Sequence, residues 1–146
     1  MRIELTRRGD YAVRAGLVLA RAGGRQRTGA EIAAEAGIPP SFVPHVMRDL
    51  THAGIAATRR GRHGGYVMAV SPERVTLLDV IQAAEGDARR QTCVLRGGPC
   101  GKDGFCDVHQ TFFAAQEALL TTLRGTTLAG IVAARSGTAP MRQEAG

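Results

Sequence analysis

The chain is informative first for what it does not contain. No run of about 18 apolar residues occurs in its 146 residues, so no membrane-spanning helix is expected. The opening MRIELTRRGDYAV lacks the basic-then-apolar layout of a secretory signal. A cytoplasmic protein with reduced thiols and no membrane partner is the expectation. There is no glycine-rich phosphate loop, no nucleophile set beside a base and no second cluster motif, which argues against an enzyme or electron carrier. Cysteine is scarce. Its three copies are an odd number, so internal disulfides would leave one thiol over. The close C-x2-4-C pairs usual in structural zinc sites are also missing.

Net charge is absent from one half. Residues 75–146 hold 7 basic and 7 acidic side chains, whereas residues 1–74 hold 12 basic against 6 acidic and so carry the whole excess of +6. A one-sided basic field suits a polyanion such as DNA, RNA or an anionic membrane surface. With 44% hydrophobic residues, the chain is long enough for one cored domain, or for a small domain with an extension.

What is present has a clear order. Residues 6–22 place Ala12, Ala15, Gly16 and Leu19 at helical spacing after a possible Thr6 cap. Thr28 and Glu31 form a capping-box pair ahead of a short second helix that Gly37 ends. A third helix carries Pro44, which would cost roughly 3 kcal/mol in a helix interior. With Ser41 as N-cap, Pro44 falls in the first turn, where no intrahelical bond is lost. Val43, Val46, Met47 and Leu50 then make the apolar face, and Ser41, His45, Arg48, Asp49 and His52 face elsewhere. Residues 55–59 and 66–70 read as a hairpin around an Arg- and Gly-rich turn. Thr76 and Asp79 repeat the capping box before a helix closed by Gly86. After a glycine-rich loop comes a long amphipathic helix to about Arg124, with an apolar stripe too wide for the remaining chain to cover.

The fold class expected is mainly α with a small β-hairpin: a winged helix-turn-helix over residues 1–86, a loop and dimerisation helix over 87–134, and a disordered tail over 135–146. On this reading Ser41, His45 and Arg48 face a major groove of double-stranded DNA. Arg59, Arg60 and Arg62 of RRGRHGGY lie near phosphates or in a minor groove, where guanidinium groups are favoured.

The segment CVLRGGPCGKDGFCDVH holds all three cysteines, Cys93, Cys100 and Cys106, at spacings x6 and x5, with His109 one helical turn after the last. Thiolates are the usual ligands of iron-sulfur clusters, and imidazole or carboxylate can replace one. Together with LTRRGDYAVRA, IPPSFVPHVMRDLTHAGI and the wing, this loop resembles the winged-helix iron-sulfur regulators typified by IscR and NsrR, over residues 1–133. The resemblance implies a homodimer through crossed C-terminal helices, a palindromic promoter site, and a 2Fe-2S or 4Fe-4S cluster whose oxidation, loss or nitrosylation changes DNA affinity. It offers two fourth ligands. His109 matches the IscR-type arrangement, and Asp10 matches the position from which NsrR-type proteins supply a carboxylate across the dimer. Asp10 also has a structural reading, as an i,i+4 partner of Arg14. The function implied is a transcription regulator, a repressor, sensing redox state, iron or cluster supply, or nitric oxide. The alternative is a cluster-free dimeric regulator controlled by a partner protein or small ligand.

Overall fold

The computed structural model describes residues 3–87, 94–95 and 106–137. Helix α1 (Arg7–Arg21) starts at Thr6, whose hydroxyl accepts from the Gly9 amide at 3.2 Å. The start is reinforced from a distance. Glu85 Oε1 accepts from both the amide and the hydroxyl of Thr6, each at 2.7 Å.

Helix α2 (Gly29–Ala36) has the expected capping box. The Thr28 amide donates to Glu31 Oε2 at 2.8 Å, and the Glu31 amide donates to Thr28 Oγ1 at 3.2 Å. Gly37 closes it at φ 64°, a left-handed conformation that costs glycine little.

Helix α3 (Val43–His52) starts later than Ser41. Pro39 and Pro40 lead into a 3-10 turn (Pro40–Phe42) in which the Phe42 amide bonds Pro39 O at 3.0 Å. The Val43 amide bonds Pro40 O, so backbone carbonyls take the donors a Ser41 cap would have served. Pro44 still falls in the first turn, the placement that its missing N–H requires.

Strands β1 (Ala56–Arg59) and β2 (Gly65–Met68) pair antiparallel, with Ala56 opposite Met68 and Arg59 opposite Gly65. Helix α4 (Leu77–Glu85) begins at the Thr76–Asp79 capping box. Helices α5 (His109–Gly125) and α6 (Leu128–Gly137) follow, the latter capped by Thr127 Oγ1 accepting from Gly130 N at 3.0 Å. Helix α6 runs through residues 135–137, which the sequence assigned to a tail. Ser136 Oγ donates to Val132 O at 3.1 Å and Arg135 sits in the last turn, where the helix dipole favours a cation. Residues 138–146 lie outside the described part.

One core joins these elements. Ala12, Ala15, Val18 and Leu19 of α1 pack with Ile32, with Val46, Met47 and Leu50 of α3, and with Val80 of α4, all at most 1% exposed. Leu128 belongs to the same cluster at 0%. The turn before α6 is tied down by Leu77 N to Thr126 O at 2.8 Å and Leu128 N to Val75 O at 2.9 Å. Truncating a buried leucine of this kind typically costs about 2–5 kcal/mol. The stacked helices thus hold α3 and the hairpin in a fixed relation. Among the described residues no helix is long and apolar enough to cross a membrane.

Candidate functional site

Burying Val43, Val46, Met47 and Leu50 turns the opposite face of α3 outward, and His45 and Arg48 are exposed there. Ser41 is exposed as well, in the 3-10 turn rather than at a helix cap. Arg59 at the end of β1 and Arg60 and Arg62 in the turn are all exposed.

An open slot of about 480 Å³ is lined by the starts of α2 and α3 on one side and by the hairpin residues Thr58, Arg59, Gly64, Gly65 and Tyr66 on the other. The hairpin is anchored on its inner side. Arg27 and Tyr66 exchange backbone hydrogen bonds at 2.9 and 2.8 Å, and Gln26 Nε2 donates to the His63 carbonyl. A Cβ on Gly65 would lie 2.3 Å from the Arg27 carbonyl oxygen, so only glycine admits this approach. Arg27 is held in turn by an ion pair with Glu35 at 3.4 Å.

Helix α3 is fixed by a contact that sequence reasoning missed. Asp49 is 9% exposed, not on the outer face, and Arg8 grips both its oxygens. The Asp49 carboxylate raises the Arg8 pKa above its already high ordinary value, chiefly through the side-chain hydrogen bond. The available signal was phase: Asp49 lies three residues after Val46 and so flanks the apolar stripe.

The cysteine site is described in part. Cys93 and Cys100 lie outside the described residues. Cys106 is half-buried, and its carbonyl accepts the His109 amide at 3.0 Å, so the two residues share one turn at the head of α5. The His109 ring stacks on Phe113 with centroids 6.1 Å apart. Asp10 is on α1, where its two oxygens take Arg14 Nε and Nη2, both at 2.9 Å. A shallow concavity around it is lined by Glu4, Leu5, Arg7, Tyr11, Arg14 and Gly37. Among the described residues no three His, Cys, Asp or Glu side chains converge as a metal site.

A stacked helical core carrying an outward polar helix, a slot and a cationic hairpin is the geometry of a winged-helix reading head. The family model described as "Rrf2: Iron-dependent Transcriptional regulator" matches residues 5–134. The chain belongs to the Rrf2 family of transcription regulators. It is 31% identical over 137 residues to the HTH-type transcriptional repressor NsrR of Streptomyces coelicolor, covering 92% of each chain. Its fold is similar to that of T. potens IscR, with a TM-score of 0.75, 22% identity and coverage of 95% of this chain and 94% of that one. It is similar to the same degree to CymR, the global cysteine regulator of B. subtilis, with a TM-score of 0.75, 21% identity and coverage of 90% and 98%. This Rrf2 chain is therefore a winged-helix regulator rather than an enzyme.

Proposed function

We propose that this Rrf2 protein is a cytoplasmic, DNA-binding repressor that acts as a homodimer on a palindromic promoter site and senses redox state, iron or cluster supply, or nitric oxide through an iron-sulfur cluster. The observation that carries the DNA part is the exposure of His45 and Arg48 on α3 and of Arg59, Arg60 and Arg62 on the hairpin, the two elements whose residues line the slot. Helix and hairpin then meet neighbouring grooves, and the guanidinium groups displace counterions from phosphates. On this reading residues 1–86 read DNA, while residues 87–134 hold the cofactor and the dimer contact.

Cys93, Cys100 and Cys106 would hold the cluster, with His109 as the fourth ligand. The described half of the set fits this donor chemistry, because Cys106 and His109 share one turn. Asp10 is the weaker candidate, since its carboxylate would have to give up both hydrogen bonds to Arg14. A bound cluster, 2Fe-2S or 4Fe-4S, supplies a redox couple and iron that reacts with nitric oxide. A homodimer is favoured by α5, on which only Leu120 is buried while Phe113 is 52% and Leu119 37% exposed.

The test is anaerobic purification, iron and sulfide counts with absorption and Mössbauer spectra, and gel-shift titration of wild type, His109→Ala, Asp10→Ala and Arg60→Ala. The proposal expects iron lost in His109→Ala and kept in Asp10→Ala, and weakened DNA binding with intact cluster absorbance in Arg60→Ala. A colourless, iron-free protein with full DNA affinity removes the cluster and leaves a regulator governed by a partner protein or small ligand. Unchanged affinity of Arg60→Ala removes the wing assignment.

A further inference from the structure

The major and minor grooves of a duplex are separated by a sugar-phosphate strand. A protein with a helix in one groove and a hairpin tip in the next must straddle that strand. The slot lies where the strand would pass. One wall is Gly29 and Ala30 at the start of α2 with Val43 of α3, and the other is Thr58, Arg59 and Tyr66 of the hairpin.

We infer that this slot is the seat of the DNA backbone between the two grooves, and that Thr58 and Tyr66, which carry no base-reading role, position a phosphate there through their hydroxyls. The inference rests on the DNA-binding reading above and adds the place and the residues of one backbone contact. Three observations carry it. Among the described residues the Thr58 and Tyr66 hydroxyls have no hydrogen-bond partner, so both can donate. No carboxylate lines the slot, and that of neighbouring Glu31 is turned to the Thr28 amide. The hairpin wall is held in place by the Arg27–Tyr66 bridge and the Gln26–His63 contact, so little order has to be gained on binding.

A charge placed in the slot tests this directly. Ala30 is exposed in the first turn of α2, where an acidic side chain favours the helix, so Ala30→Asp should fold normally while repelling a phosphate. Ala34, one turn on, is exposed but does not line the slot, so Ala34→Asp controls for charge alone. By fluorescence anisotropy on a promoter duplex, Ala30→Asp should weaken binding ~10-fold or more, and Ala34→Asp much less. Thr58→Val, which keeps the β-branched shape, should weaken binding about fivefold on cognate and random duplexes alike. Equal losses in the two aspartate variants, or wild-type affinity in Thr58→Val, would overturn the seat. If wild type binds no duplex the DNA-binding reading itself fails, whereas binding that depends on Arg60 but not on Ala30 or Thr58 removes the seat alone.

Discussion

Arg8 Nε reaches Asp49 Oδ2 at 2.6 Å and Arg8 Nη2 reaches Asp49 Oδ1 at 2.5 Å, a two-point clamp between α1 and α3 across 41 residues of sequence. Arg8 is 53% exposed and Asp49 only 9%, so the two ends are not equivalent. The start of α1 is also where Thr6 is held by Glu85, at the end of α4 and shortly before the cysteine loop. A contact chain therefore runs from that end of α4, through the first turn of α1, to the helix proposed to read DNA.

Removing the exposed partner should be the more damaging change. Arg8→Ala leaves a nearly buried carboxylate unpaired, whereas Asp49→Ala frees a guanidinium that water can reach. Thermal denaturation is expected to show a fall in Tm of roughly 5 °C for Arg8→Ala and a smaller one for Asp49→Ala. Both variants should bind DNA more weakly. Equal Tm losses would mean that the clamp is fully hydrated.

The hairpin should be more sensitive at Gly65 than at Gly64. Alanine at 65 drives a Cβ to 2.3 Å from the Arg27 carbonyl oxygen, which is backbone and cannot swing away, while at 64 the nearest atom is Arg59 O at 3.3 Å. Gly65→Ala is expected to break the Arg27–Tyr66 bridge and lower DNA affinity ~10-fold or more, because a displaced wing forfeits its phosphate contacts. Gly64→Ala should lose far less. Amide exchange at Arg27 and Tyr66 reads the bridge independently of DNA.

The features legible in the sequence were those whose partners are close along the chain. Thr28 with Glu31, Thr76 with Asp79 and Thr6 with Gly9 are three residues apart, and each cap forms as expected. The hairpin and the apolar phase of α3 follow from local alternation and periodicity in the same way. Ser41 failed as a cap because Pro39 and Pro40 set up backbone bonds that compete for the same donors. Asp49, Gln26 and Glu85 escaped notice because their partners are Arg8, His63 and Thr6, dozens of residues away. For the fourth ligand, spacing from Cys106 pointed to His109, while Asp10 came only from the resemblance to NsrR-type proteins. The structure adds that Asp10 already holds Arg14 and that His109 starts α5 beside Cys106.

Acid should loosen α2 in a defined direction. The Glu31 carboxyl is held below its ordinary value of 4.5, first by the Thr28 backbone amide that donates to it. A carboxylate with a lowered folded pKa contributes stability above the unfolded value, and that stability is lost as pH falls through the folded one. The contribution should therefore be complete above pH 4.5 and fade below it. Glu31→Gln keeps a side-chain acceptor for the Thr28 amide and should flatten this part of the pH–stability curve. A curve that keeps the wild-type slope below 4.5 would assign the loss to other carboxylates.

The proposed dimer makes the last prediction. Phe113 and Leu119 are exposed on α5, and burial of two such side chains contributes about 1.5–3 kcal/mol each. Phe113→Glu and Leu119→Glu place charges where a second copy would sit, at little cost to the single chain. Sedimentation should therefore report a monomer that keeps its helical content. Half-sites one helical turn apart bind a dimer through two linked contacts, so a monomer should lose ~100-fold or more on the full palindrome. The same variants should bind an isolated half-site as wild-type monomers do. Dimers that survive both substitutions would move the interface away from Phe113 and Leu119.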